Sequence, residues 1–169
     1  MQQPMYVASV PVFKQLLGGL SGVLTKAAEH AAARKIDPPA LLQARLFPDM
    51  FPLLRQVQIA TDFARSVAAR LAGVEVPSAP DTEQSFDELQ QRIASTVAFL
   101  DSLDPAGFDS SETREIVLRP GTPKERTLSG QAYLLSYGLP QFFFHVTTAY
   151  ALLRHSGVDI GKRDYMGSY

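Results

Sequence analysis

The chain has 169 residues, of which 46% are apolar and 20% charged, with a formal net charge of −1. That balance predicts a single soluble globular domain over residues 1–169, long enough to bury a sizeable core. Scattered basic residues exclude the concentrated cationic face of a nucleic-acid binder, and the lack of cysteine excludes disulfides, thiolate metal ligands and cysteine nucleophiles.

The start, MQQPMYVASVPVFKQ, lacks the basic head and long apolar run of a signal peptide. No stretch approaches the ~18 uninterrupted apolar residues of a membrane span. The expectation is a cytoplasmic protein with no membrane partner.

The first long helix is marked by Phe13, Leu16, Leu17, Leu20, Val23, Leu24, Ala27 and Ala31, at spacings of three and four. Ser9 is placed to cap it, with Pro11 in the first turn; alternatively the helix starts near Met5 and Pro11 bends it. Gly18, Gly19 and Gly22 weaken intrinsic helicity, so they predict close approach by a neighbouring backbone. Asp37-Pro38 opens a short helix through Arg45. Asp49 is expected to cap the second long helix, with Pro52 in its first turn. Leu53, Val57, Ala60, Ala64, Val67, Ala68 and Leu71 form its core stripe, and Gly73 ends it. Gln56 lies on the margin of that stripe, an unusual place for an amide without a partner. Gln58, Asp62, Ser66 and Arg70 are expected to face solvent.

Val74–Asp81 reads as a linker loop. Ser85 and Glu88 fit a capping box before the third long helix, whose core residues are Leu89, Ile93, Val97 and Leu100. The segments REIVLR and ERTL flank Pro120-Gly121-Thr122-Pro123 and predict a short hairpin. Ser129 caps a helix over 130–137, and Gly138-Leu139-Pro140 is expected to break or bend the chain before the last long helix, LPQFFFHVTTAYALLRH. The tail after Gly157 has no periodicity; it either packs along the bundle or reaches a partner subunit. Four long amphipathic helices with a hairpin before the last predict an all-α, antiparallel four-helix bundle.

On the last long helix, Phe142, Phe143, Val146, Ala149, Tyr150 and Leu153 form one apolar arc, with His145 and Leu152 at its edge. An arc that wide predicts a helix covered by several neighbours, and a buried His145. A buried imidazole needs partners for its nitrogens. The simpler reading is a core histidine bonded to a side chain or carbonyl; the functional one is a pocket residue. Phosphate-binding loops, dinucleotide fingerprints and the nucleophile elbow are absent from the sequence. Helical zinc ligands recur at i and i+3 or i+4, but those positions after His145 hold Thr148 and Ala149. His155 is ~15 Å along the helix, beyond chelating reach of the same ion.

The strings MYVASVPVF (5–13), PDMFPLLRQVQIATDFA (48–64), FFFHVTTAYALLRHSGV (142–158) and IGKRDYMG (160–167) carry a family resemblance. Almost the whole chain resembles the DinB/YfiT-like superfamily, and within it an uncharacterised bacterial branch, a domain of unknown function. The resemblance implies a four-helix bundle. In many members a histidine on the second helix and an H-x-x-x-H pair on the fourth hold a metal, and some are thiol-dependent transferases. By position, His145 matches the first histidine of the pair, Ala149 stands at its partner and Gln56 at the second-helix ligand. The metal site is thus degenerate, and no cofactor is expected.

Gln56 and His145 are therefore expected to meet across the former metal cleft. Together with Tyr150, and more remotely Arg55, they would bound a small polar cleft open to a small-molecule ligand. The outward face of the last helix, with Phe144, Ala151 and the threonines, suggests a homodimer. The alternatives are a DinB-like transferase or hydrolase acting at His145, and a dimeric scaffold working through its C-terminal tail.

Overall fold

The structure, a computed structural model, describes residues 3–169; the first two residues of the expected domain lie outside them. Four long helices form the bundle: α2 (Val10–Arg34), α4 (Leu53–Ala72), α5 (Phe86–Asp101) and α7 (Leu139–His155). Shorter pieces are α1 (Pro4–Val7), α3 (Pro38–Leu42), α6 (Gly130–Tyr133) and α8 (Lys162–Met166). A two-stranded antiparallel hairpin, β1 (Glu115–Leu118) and β2 (Arg126–Ser129), precedes the last long helix, as the sequence predicts, with Ile116 opposite Leu128.

The core is built from the stripes read in the sequence. Every predicted core residue of α4, from Leu53 to Leu71, is fully buried, as are Phe13, Leu17 and Leu24 of α2. Each large apolar side chain so buried contributes about 1.5–3 kcal/mol relative to exposure. Phe13 meets Phe142 edge to face at 4.8 Å, tying α2 to α7. The most extensive packing is between α4 and α7. Gly138 lets the two helices approach at one end of this contact. A Cβ on Gly138 would come within 2.7 Å of Val67.

Several helix ends differ from the sequence reading. The first helical run starts at Pro4 and is interrupted at Ala8–Ser9 before α2. Ser9 does not cap; its hydroxyl donates back to the Met5 carbonyl at 2.6 Å. Pro11 lacks an N–H and crowds the carbonyl four residues earlier, which accounts for the interruption. By length and composition the run Pro4–Arg34 is apolar enough to cross a bilayer, but its apolar face is the one turned into the bundle. The helix expected through Arg45 stops at Leu42, and α4 begins at Leu53 with Pro52, not Asp49, at its N-cap. Ser85 caps α5 as expected, its hydroxyl accepting the Glu88 N–H, but the return bond of a capping box is displaced by one residue: Glu88 accepts the Gln84 N–H at 2.6 Å, not that of Ser85.

No break occurs at 138–140. A π-turn over Leu134–Gly138 joins α6 to α7 without interruption. The widened turn accommodates Pro140, whose ring cannot supply an ordinary helical N–H. The buried arc of α7 is also rotated from the expected one. Thr148 and His145 are buried, whereas Phe143 is 36% exposed and Tyr150 half-buried. Both lie on the side covered by the tail.

That tail packs along its own bundle. Asp164 accepts Lys26 Nζ at 2.7 Å, Gln15 donates to the Met166 carbonyl at 2.9 Å, and Tyr165 shares a hydrogen bond with Thr147 at 3.1 Å. The backbone approach expected on α2 occurs at Gly19 alone. A Cβ there would overlap the Tyr165 carbonyl oxygen, whereas Gly18 and Gly22 face open space. Gly19→Ala is expected to destabilise the protein by roughly 1–3 kcal/mol. Gly22→Ala should be neutral or stabilising by up to ~1 kcal/mol. Urea denaturation of the two variants checks this; equal stability of Gly19→Ala and the wild type would contradict the tail docking.

Candidate functional site

Gln56, on the second turn of α4, and His145, in the middle of α7, meet inside the bundle. His145 Nδ1 lies 2.7 Å from Gln56 Oε1. The amide orientation follows from its other bond: Gln56 Nε2 is 3.0 Å from the Phe51 carbonyl, which can only accept. The Gln56 oxygen therefore faces the ring, and Nδ1–H is the donor. Gln56 is 1% exposed and His145 7%. Burial, assisted by the nearby Arg55 charge, lowers the His145 pKa from 6.5 to about 4. Near neutral pH the ring is uncharged, its single proton on Nδ1 and a lone pair on Nε2.

Nε2 has no protein partner among the described residues. It is not sealed off either, since the buried unpartnered polar atoms are Arg65 Nε and Ser111 Oγ. Aromatic rings wall the imidazole: Phe63 stacks on it with centroids 6.0 Å apart, and Phe144 stands edge-on at 5.2 Å. Such a nitrogen can accept a hydrogen bond or act as one ligand. With a pKa of about 4 it is a weak general base near pH 7.

The other expected site residues are elsewhere. Tyr150 lies against Tyr165 of α8, edge to face at 5.8 Å, on the tail side of α7. Arg55 sits over the Phe51 ring at 5.9 Å and pairs with Asp81. It acts on His145 through charge.

The polar face of α4, expected in solvent, is partly covered: Gln58 is buried, whereas Asp62, Ser66 and Arg70 are half-buried. The loop after α4 folds back over it and α5 supplies a buried arginine. Arg92 donates to Thr61 Oγ1 at 2.7 Å, Glu83 at 2.9 Å, Asp62 at 2.6 Å and the Pro80 carbonyl at 3.1 Å, and pairs with Asp81 at 3.0 Å. Gln58, 2% exposed, donates to Glu83 at 2.8 Å. Burial pushes the Glu83 carboxyl up, but the bonds from Arg92 and Gln58 outweigh it and hold the group below its ordinary range. The sequence held a signal for this cluster: Arg92 lies three residues after Leu89 and four before Thr96, on the buried arc of α5.

A bundle of four long helices, a hairpin before the last and a polar pair joining the second and fourth long helices define a DinB-like protein. A crystal structure of a DinB family member protein from Shewanella denitrificans is similar to this chain with a TM-score of 0.93 and 38% sequence identity. The match covers 99% of this chain and 94% of that one. The family model described as a domain of unknown function, DUF1993, matches residues 5–166, and the chain belongs to that family. No curated protein matches it.

The three-histidine metal site of the wider superfamily does not fit the residues present. Gln56 is engaged at both ends of its amide, and His145 has committed one nitrogen to it. Ala149, at the third ligand position, is fully buried and offers no donor. Among the described residues no group of three or more histidine, aspartate or glutamate side chains is placed to hold an ion.

The ring's pKa sets a sign for pH dependence. A folded-state value below the unfolded one means that the unfolded chain takes the proton first. The contribution is fully present above pH 6.5 and is lost as pH falls toward about 4. The loss amounts to roughly 3 kcal/mol at most. NMR titration of the ring should give a midpoint near 4. Gln56→Glu should move the midpoint upward, because a carboxylate favours the imidazolium. A wild-type midpoint near 6.5 would contradict the burial and the neutral tautomer.

Proposed function

We propose that this protein is a metal-independent DinB-like bundle that binds a small polar molecule at the open edge of His145. In this reading the Gln56–His145 bond takes the structural place of the ion. The carrying observation is the amide held between the Phe51 carbonyl and the ring, which leaves Nε2 as a fixed acceptor. The ligand class it suits is a small molecule with an O–H or N–H donor and an apolar part to lie along Phe63 or Phe144. The weak basicity of His145 counts against a transferase or hydrolase that would use it as a base near neutral pH.

Elemental analysis of tag-free protein, supplemented with zinc, nickel and iron and then desalted, tests this directly. The expected content is below about a tenth of an equivalent of any metal, because one available imidazole nitrogen makes a weak site. Near-stoichiometric metal that disappears in His145→Ala would overturn the proposal.

A further inference from the structure

A second site lies on the far side of Phe63, where α4, the loop after it and the end of β1 enclose a cleft of about 390 Å³. Three guanidinium groups line it, those of Arg65, Arg70 and Arg119, against one carboxylate, Asp62. Asp62 is already engaged by Arg92 at 2.6 Å and by Arg65. Arg70 has only an uncharged partner, donating to the Tyr133 hydroxyl at 3.0 Å. Among the described residues neither Arg70 nor Arg119 forms a salt bridge. The buried Arg65, 7% exposed, keeps an Nε–H with no partner among the described residues.

The positive lining continues past the cleft. Arg119, Tyr137 and Leu118 also border a second hollow of about 600 Å³, together with Lys124, Arg126 and Glu125. Glu125 is occupied by the Gly121 N–H at 2.6 Å. Arg119 itself is held at φ 51°, a left-handed conformation that a long L side chain rarely adopts. Phe63, Tyr133 and Tyr137 pack against one another along the cleft, giving it an aromatic wall.

We propose that this basic, aromatic-walled cleft binds a phosphate monoester with a ring-bearing body, its phosphate held by Arg70 and Arg119. Two guanidiniums without carboxylate partners match a dianion, and their planar forks pair in bidentate fashion with phosphate oxygens. Arg65, whose charge is already balanced by Asp62, only walls the cleft behind them. The half-buried Tyr137 and Phe63 supply a face for the ring. The volume suits a small molecule. The site uses neither Gln56 nor His145 and shares only Phe63 with the proposed function.

Phenyl phosphate, inorganic phosphate and benzoate are the probes, titrated into the full chain and followed by calorimetry and amide NMR. Phenyl phosphate should bind saturably and weaken as salt is raised, with inorganic phosphate and benzoate each about tenfold weaker or more. Arg119→Gln, at an exposed position whose side chain has no bond among the described residues, should weaken phenyl phosphate about tenfold, and Arg70→Gln similarly. No saturable binding by about 10 mM, or unchanged affinity in Arg119→Gln, would overturn the site. Benzoate binding as tightly as phenyl phosphate would overturn the assignment to a dianion. Inorganic phosphate binding as tightly would overturn the role of the aromatic wall.

Discussion

The contact between α4 and α7 is the constraint on which this fold and its candidate chemistry both depend. At one end of it Gly138 lies against Val67 where a Cβ would not fit, so the approach there requires a glycine. Further along the same contact a glutamine and a histidine face each other. A polar pair buried there is tolerable only if each group is satisfied. The Phe51 carbonyl, just before α4, fixes the amide; the amide fixes the imidazole; and the imidazole is left with one free nitrogen. A net hydrogen bond of this kind contributes only about 0.5–1.5 kcal/mol, but leaving one partner unpaired costs about 1–3 kcal/mol. Its larger effect is on register, since helix sliding would strand both groups.

The same helix organises a second polar layer on its opposite side. Gln58, Thr61, Asp62 and Arg65 recur at helical spacing and meet Asp81 and Glu83 from the loop and Arg92 from α5. Three arginines, counting Arg55, balance three carboxylates in this layer, so the burial of Arg92 leaves no net charge uncompensated. Beyond it the balance fails: Arg70 and Arg119 have no carboxylate, and the aromatic wall begins. Helix α4 thus separates an apolar seam with one polar lock from a compensated charge layer and an uncompensated basic cleft.

Much of this was legible in the sequence because it rests on local periodicity. The α4 stripe, the Ser85 and Ser129 caps and the hairpin around Pro120-Gly121 are all patterns of short range, and they stand where the spacing put them. The meeting of Gln56 with His145 was legible through marginal wheel positions together with family resemblance. What was not legible depended on segments that lie over a helix from far away in the chain. A loop cannot be seen to cover Gln58 and Asp62 from α4 alone, so that face read as solvated. The tail covers Phe143 and Tyr150 in the same way, which turned the buried arc of α7 and removed Tyr150 from the neighbourhood of His145. The π-turn at Leu134–Gly138 was hidden because glycine and proline there carry the ordinary signature of a break.

The central claim is that Gln56 and His145 form one self-sufficient unit. A double-mutant cycle measures it, with Gln56→Leu, His145→Leu and the double variant unfolded in urea at neutral pH. Each single substitution is expected to cost about 1–3 kcal/mol, and the double variant no more than the worse single, a coupling of about 1 kcal/mol or more. Strictly additive costs would show that the two residues stabilise the bundle separately, and would contradict the account.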